Sequence, residues 1–244
     1  QTIVFKVSQY INYLIQHEYT VMKGLMNLAP FCPHFCKTLG IVSANTDPST
    51  RKTGNPFEIG TKYPIENEVL LCEYIDQSTK FYNYIRAVDR VPEETLYTTV
   101  EMVLMALAMA QKKQRFTHYD IHSFNIMMKK CQYDAVFLYV LDENNKFLVP
   151  TRGRYPVIID FGFSYISGME DGPLWPSMGH TSVGFTSDRF DWVSDPKLLL
   201  VTVSHEIKQK RNTKTSRRFR RLVKNVFFPL EIDWYCGWDS TEKE

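Results

Sequence analysis

The sequence has no long apolar run, few cysteines and almost no net charge. Its longest apolar stretch, Met102–Ala110, is far shorter than the ~20 residues that cross a bilayer, so we expect no membrane-spanning helix. Five cysteines at irregular spacing argue against a disulfide scaffold and favour a reducing, intracellular compartment such as the cytoplasm. Residues 1–20 lack the pattern of a signal peptide. The net charge of +2 indicates no wholesale binding of nucleic acid or membrane.

What the chain does have is material for a core. It has 244 residues, 44% hydrophobic and 14% aromatic, which fits one large domain or one domain of two lobes. Apolar residues at helical spacing predict helices over 8–28, 92–114 and about 195–208. A polar stretch predicts a long exposed loop over 43–63. Short apolar runs predict strands at residues 2–7, 35–42, 68–75, 126–129, 136–141, 147–149 and 157–159.

Two motifs carry the first chemical signal. His118 to Asn125 reads H-x-D-x-x-x-x-N, and Asp160-Phe161-Gly162 directly follows an apolar strand. Chance delivers both in this order about once in ten thousand sequences. The pair resembles the catalytic loop and the D-F-G motif of protein kinases. The resemblance implies that Asp120 accepts the proton of the substrate hydroxyl, while Asn125 and Asp160 hold Mg²⁺ on the phosphates of ATP. The alternative is that Asp120 and Asn125 merely cap a turn.

Lys6 and Glu18 form a second candidate pair. Lys6 lies in a strand similar to the V-A-I-K strand of kinases, and Glu18 lies on the apolar stripe of the following helix. A buried carboxylate needs a partner, and Glu18 is the only acidic residue before Asp47. We therefore expect a Lys6–Glu18 ion pair, which by the resemblance holds the α- and β-phosphates. The alternative is that Lys6 is only a solvated lysine.

The run from Val69 to Ile75 resembles the last strand of a kinase N-lobe and the hinge after it. In that interpretation Cys72 is the gatekeeper, and backbone groups of Glu73 and Ile75 bind adenine. The alternative is a plain core strand. The resemblance thus predicts a two-lobed, protein-kinase-like α+β fold, with a small β-rich N-lobe over 1–75 and a larger, mainly helical C-lobe over 76–244.

The chain also departs from the kinase pattern. The strands that carry the Gly-rich loop normally precede the Lys6 strand, so we expect a partial N-lobe. Tyr119 replaces an arginine of many kinases, no A-P-E motif follows Gly162, and His122 is similar to a residue of haspin and of small-molecule kinases. A hairpin over 136–149 is also haspin-like. The chain is most similar to divergent kinase-like proteins of large DNA viruses.

Two further features complete the sequence predictions. By the resemblance, an aspartate that opens a later helix binds the backbone of the catalytic loop; Asp195 is the candidate, Asp191 is the alternative, and a plain helix cap is equally consistent. The run 208–224 holds nine basic residues and no acidic one. It predicts an acidic partner, nucleic acid or an anionic membrane surface, or only a solvated basic face.

The resulting hypothesis is ATP- and Mg²⁺-dependent phosphoryl transfer to serine or threonine of a protein substrate. Lys6 and Glu18 position the phosphates, Asp120 is the base, and His122 contacts the γ-phosphate or the substrate. Three rivals stay open: a small-molecule kinase of the aminoglycoside or choline type, a pseudokinase scaffold, and a nucleic-acid-binding module.

Overall fold

The structure is a computed structural model, and it describes residues 2–7, 12–46, 65–87, 92–169, 189–210 and 214–228. These residues form a mixed α+β fold with small antiparallel sheets. The helices and strands follow in this order: β1 (Ile3–Val7), α1 (Asn12–Leu25), β2 (Thr38–Thr46), β3 (Ile65–Glu73), β4 (Ser78–Lys80), α2 (Phe81–Arg86), α3 (Glu93–Gln114), β5 (Ile126–Lys130), β6 (Val136–Val140), β7 (Lys146–Pro150), β8 (Arg154–Ile158), α4 (Ser194–Lys210) and α5 (Lys214–Val226).

The first sheet has the strand order β1-β3-β2, and both pairings are antiparallel. Lys6 lies opposite Leu70, and Val4 lies opposite Cys72. Because side chains alternate along a strand, these four residues share one face of the sheet. Helix α1 contacts β1, β2 and β3, and buries an apolar stripe that includes Ile15. This packing brings the side chains of α1 towards Lys6.

The second sheet has the order β4-β5-β8, and the β6–β7 hairpin lies between β5 and β8 in the sequence. Tyr139 and Val149 of the hairpin pack against Met102 of α3 in a small buried cluster. The Tyr139 hydroxyl also lies 2.6 Å from Nε2 of the buried His34. The hairpin is therefore anchored by both apolar contact and hydrogen bonding.

Helix α3 runs through the centre of the larger core. It has Glu93 and Glu94 in its first turn and two lysines in its last turn, which favours the helix dipole at both ends. Arg115 ends the helix in the left-handed conformation, at φ 47°. One continuous core joins the first sheet, α3, α4 and α5, and it includes Leu70, Leu107 and Phe219.

Most of the predicted elements are confirmed, within a few residues at their ends. The predicted loop over 43–63 was wrong in its first part, because residues 43–46 belong to β2 and pair with β3; residues 47–63 lie outside the described part of the chain. In the described part of 76–244, helices α2 to α5 hold more residues than strands β4 to β8, so helix predominates there, as predicted. Strand β4 and helices α2 and α5 were not predicted.

No helix among the described residues combines the length and the apolar character that crossing a bilayer requires.

Candidate functional site

The centre of the candidate site is Lys6, which bridges two carboxylates. Its Nζ lies 2.9 Å from Oε1 and 2.8 Å from Oε2 of Glu18, so the predicted ion pair is present. The same Nζ lies 2.8 Å from Oδ1 of Asp160, which comes from a distant part of the chain. Strand β1, helix α1 and the segment after β8 therefore meet at a single ammonium group.

The Lys6 ammonium stabilises both carboxylates, whereas the two carboxylates repel each other. Burial alone would lower the pKa of Lys6, but Glu18 and Asp160 outweigh it and raise this pKa above its ordinary value. Burial would raise the pKa of Asp160, but Lys6 lowers it below the ordinary value. Burial raises the pKa of Glu18, and Lys6 offsets part of this rise. The side chain of Asp160 is 47% exposed, so one side of this carboxylate faces solvent.

Glu18 also fixes the segment that follows Asp160. The backbone N–H of Phe161 donates to its Oε1 at 3.2 Å. The Phe161 ring is fully buried and packs against Phe116 and His118. Asp160 itself adopts φ 66°, a left-handed conformation that costs about 1–3 kcal/mol in a non-glycine residue. The buried contacts of its neighbour hold Asp160 in this conformation.

The predicted catalytic loop folds around a hydrogen bond between its two polar ends. Asn125 donates through Nδ2 to the backbone carbonyl and to Oδ2 of Asp120, both at 2.9 Å. His122 Nε2 lies 3.4 Å from Oδ1 of Asp120, and its Nδ1 accepts from Phe124 N–H at 3.2 Å. The structure therefore brings Asp120, His122 and Asn125 together, as the motif predicted.

Helix α4 supports this loop at its start. Asp195 accepts from the N–H groups of His118 at 2.7 Å and Tyr119 at 2.9 Å, so the prediction for Asp195 is confirmed. Complete burial raises the pKa of Asp195 to about 7, although the two N–H donors favour its carboxylate. Asp191 has a different role, because it accepts from Val193 N–H and Ser194 N–H where α4 begins.

The supported loop holds a second strained residue, Tyr119 at φ 64°. Its N–H is bonded to Asp195, and its hydroxyl donates to the carbonyl of Arg189 at 2.6 Å. This buried tyrosine therefore ties the loop to Arg189, before α4.

Sequence reasoning missed Glu206. Its Oε1 accepts from the Ser123 hydroxyl at 2.7 Å, so α4 holds the loop at a second point. Burial raises the pKa of Glu206 above its ordinary value. A signal was present: Glu206 follows Asp195 by eleven residues, or three helical turns, so both lie on the same face of α4.

The predicted hinge lies at the end of β3. The Cys72 side chain is buried, on the same sheet face as Lys6, and the hydrogen bond with Cys36 is the main cause that lowers its pKa. Glu73 N–H donates to the Lys37 carbonyl at 3.0 Å, so this group is already used within the sheet. The Ile75 carbonyl accepts from the Ser78 hydroxyl at 2.6 Å. A ligand at these two residues would therefore compete with or share existing bonds.

The donor set around Asp160 suits a hard cation. Asn125 uses its Nδ2 for hydrogen bonds, which leaves its amide oxygen, and Lys6 occupies only one oxygen of Asp160. Mg²⁺ prefers such oxygen ligands, and one or two protein groups suffice when phosphates supply others. Among the described residues, no group of three or more His, Cys, Asp or Glu side chains forms a cage for a metal.

Comparison with known proteins adds two viral relatives. The chain is 31% identical to uncharacterized protein 038R of Invertebrate iridescent virus 3, over 96% of the chain and 43% of that protein. It is 28% identical to uncharacterized protein 098R of Invertebrate iridescent virus 6, over 98% of the chain and 46% of that protein. The chain therefore spans less than half the length of these curated relatives. No protein-family model matches it.

Both relatives are viral proteins, as the expected resemblance to proteins of large DNA viruses predicts. They do not test the expected resemblance to kinases. Neither name states an activity.

Proposed function

We propose that the chain transfers the γ-phosphoryl group of Mg²⁺-bound ATP to a serine or threonine hydroxyl of a protein. The observation that carries the proposal is the Lys6 ammonium, held between Glu18 and Asp160. The hydrogen-bonded pair Asp120–Asn125 lies next to it, because the Asn125 carbonyl accepts from the N–H of Ile159, the residue before Asp160, at 2.9 Å. Phosphoryl transfer depends on positioning and charge neutralisation, and this cluster offers both cationic and anionic groups at fixed positions. In this proposal the fold is a two-lobed, protein-kinase-like one.

On the nucleotide side, Lys6 binds the α- and β-phosphates while Glu18 holds the ammonium in place. The amide oxygen of Asn125 and the free oxygen of Asp160 hold Mg²⁺, which neutralises charge on the phosphates when it is bound. Cys72 closes the back of the adenine site. Support for this arrangement comes from the common sheet face of Lys6 and Cys72.

On the acceptor side, Asp120 takes the proton of the attacking hydroxyl. Its Oδ2 accepts from Asn125 at 2.9 Å, which fixes the direction of the carboxylate, and its side chain is 29% exposed. His122 lies next to it and is equally exposed, so it contacts the acceptor or the transferred phosphoryl group. The bonds from Asp195 and Glu206 to the loop keep these groups in position.

The test is transfer of labelled phosphate from ATP with Mg²⁺ to casein or histone. Asp120→Asn keeps the shape of the side chain but removes the base, so we expect transfer to slow by roughly 10²–10⁴-fold while ATP binding is retained. Asp134→Asn is the matched control, because Asp134 is exposed in the turn between β5 and β6.

Unchanged turnover in Asp120→Asn would remove the base assignment. Transfer to sugars or aminoglycosides but to no protein would instead favour the small-molecule kinase, which His122 resembles. ATP binding without transfer to either class of acceptor would favour the pseudokinase.

A further inference from the structure

Beside the candidate site, two stacked aromatic rings lie between two cationic side chains. The Tyr82 and Phe124 rings are stacked, with centroids 4.0 Å apart and planes 24° from parallel. Lys80 Nζ lies 5.7 Å from the centroid of Phe124, and the Arg86 guanidinium lies 5.4 Å from that of Tyr82. We name these four residues the cation–aromatic stack. It has one positive charge at each end.

The fold places this stack for simple reasons. Strand β4 pairs with β5, with Lys80 opposite Met127, so Lys80 lies next to the end of the candidate catalytic loop. Helix α2 follows β4 at once, and Tyr82 and Arg86 are four residues apart on one helix face. Phe124 lies inside the loop, directly before Asn125. The stack is therefore built from regular elements and from the loop itself.

Both cations of the stack lack an acidic partner among the described residues. No carboxylate there forms an ion pair with Lys80 or Arg86, and Arg86 contacts only the Tyr82 hydroxyl at 3.4 Å and the ring. The nearby Glu206 is bonded to Ser123 instead. A cation over an exposed ring gains less free energy than a cation in a charge-assisted hydrogen bond to a carboxylate. Among the residues that the structure describes, no carboxylate competes for these two cations, so carboxylates of a partner can approach both.

The stack borders the group that would accept a hydroxyl proton. The Phe124 ring is 40% exposed and its centroid lies 6.0 Å from that of His122, whose Nε2 is 3.4 Å from Asp120. A chain that presents a hydroxyl to Asp120 has its neighbouring residues over this surface. We infer that the stack binds an acidic segment of the protein acceptor, with carboxylates on Lys80 and Arg86 and an apolar or aromatic part on the rings.

This inference rests on the proposed function for the role of Asp120, but it concerns peptide binding, which is measurable without transfer. An acidic peptide is favoured over nucleic acid because the stack offers only two cations. Tight binding of nucleic acid requires many phosphate contacts. The exposed basic residues of α5 offer more cations, so α5 is the natural competing site and supplies the control.

The experiment is fluorescence anisotropy of the 244-residue chain with two labelled peptides. One is a serine flanked on each side by six glutamates, and the other has lysines in place of the glutamates. We expect the acidic peptide to bind and the basic one not to bind. Lys80→Glu combined with Arg86→Glu should weaken binding of the acidic peptide at least tenfold, since both contacts become repulsive. The neutral pair Lys80→Gln and Arg86→Gln should weaken it less.

Further variants and folding measurements serve as controls. Arg218→Glu with Arg221→Glu reverses two charges on α5, and Lys113→Glu reverses one at the end of α3; neither should change the affinity. Circular dichroism and thermal melting check that each variant is folded. Asp120→Asn should lose transfer but keep peptide binding. Peptide binding by a parent chain that shows no transfer would contradict only the proposed function.

The inference is overturned by any of four results: no binding of the acidic peptide, preference for the basic peptide, full affinity in the folded Lys80/Arg86 charge-reversal variant, or loss of affinity in the α5 variant alone. Displacement of the peptide from the stack by a single-stranded oligonucleotide at lower concentration would instead assign the stack to nucleic acid and would overturn it equally.

Discussion

At the scale of single residues, the Lys6 ammonium holds the carboxylates of Glu18 and Asp160 together by charge attraction. Glu18 is buried, and a buried carboxylate without a partner is costly. The Lys6 side chain is 38% exposed, so the pair is only partly buried and adds little net stability. Such a cluster is therefore weak evidence for stability but is well suited to holding an ammonium group at a fixed position. This is the property that phosphate binding requires.

His34 provides a residue-scale prediction for pH. Burial lowers the pKa of His34 to about 4, and its Nδ1 bonds to the Pro156 carbonyl at 2.8 Å. Because the unfolded chain protonates this histidine near pH 6.5 and the folded chain only near pH 4, stability is lost as the pH falls between these values. We expect a loss of about 3 kcal/mol from this group. Urea denaturation over that pH range measures it.

Two variants isolate the His34 effect. His34→Gln carries no titratable group at this position and should reduce the slope of this part of the pH dependence, although it is less stable at neutral pH. Part of the slope should stay, because burial also lowers the pKa of His17 to about 4. Tyr139→Phe loses the hydroxyl 2.6 Å from Nε2 but keeps the buried imidazole, so it should keep the pH dependence. Equal slopes in His34→Gln and the parent chain would contradict the assignment.

At the scale of elements, α4 is the platform of the candidate loop. Asp195 and Glu206 lie on one face of this helix and bind the loop at His118, Tyr119 and Ser123. The helix therefore sets the position of Asp120 without touching it. The bond from Asp195 to the Tyr119 N–H holds this residue in its left-handed conformation.

Asp195→Ala tests the platform. It leaves two buried N–H groups without acceptors, each at a cost of about 1–3 kcal/mol, so we expect a large loss of stability and of transfer rate. Asp191→Ala is the matched control, because it removes only the cap of α4 and should cost about 1 kcal/mol. Urea denaturation and the transfer assay measure both variants. Equal effects of the two substitutions would show that Asp195 is only a cap.

Helix α5 is amphipathic, with one apolar face and one basic face. Phe219 and Val223 are buried, and the Phe219 ring meets Tyr97 of α3 edge to face with centroids 5.6 Å apart. Arg218 and Arg221 are exposed. An acidic partner or nucleic acid at the basic run 208–224 stays a prediction, and only 208–210 and 214–224 of it are described.

The two faces of α5 should respond differently to substitution. Phe219→Ala is expected to cost about 3–5 kcal/mol of stability, because it leaves a cavity in the core. Arg218→Ala should change stability by less than about 0.5 kcal/mol. Urea denaturation compares them. If Phe219→Ala is as mild as Arg218→Ala, then α5 does not pack on α3 as described.

At the scale of the whole molecule, the site lies where three distant segments meet over one core. The Lys6–Glu18 pair could be predicted from the sequence, because a carboxylate on an apolar stripe needs a cationic partner. The Asp120–Asn125 loop and Asp195 could be predicted from the motif and the resemblance that it supports. It did not allow prediction of the Lys6–Asp160 contact, of Glu206 or of the cation–aromatic stack, because these depend on how α2, α4 and β8 pack. Helix α5 was missed because its apolar stripe is short and its charges dominate the pattern.

The proposed function depends on a Mg²⁺-dependent nucleotide site formed by Asn125, Asp160 and Lys6. The most direct measurement is the melting temperature of the chain with ATP, with and without Mg²⁺, for the parent chain and for Asp160→Asn. Binding to the folded state raises the melting temperature by mass action. We predict that ATP raises the melting temperature only when Mg²⁺ is present, and that Asp160→Asn abolishes this rise. A rise that is equal without Mg²⁺, or that survives in Asp160→Asn, would contradict it.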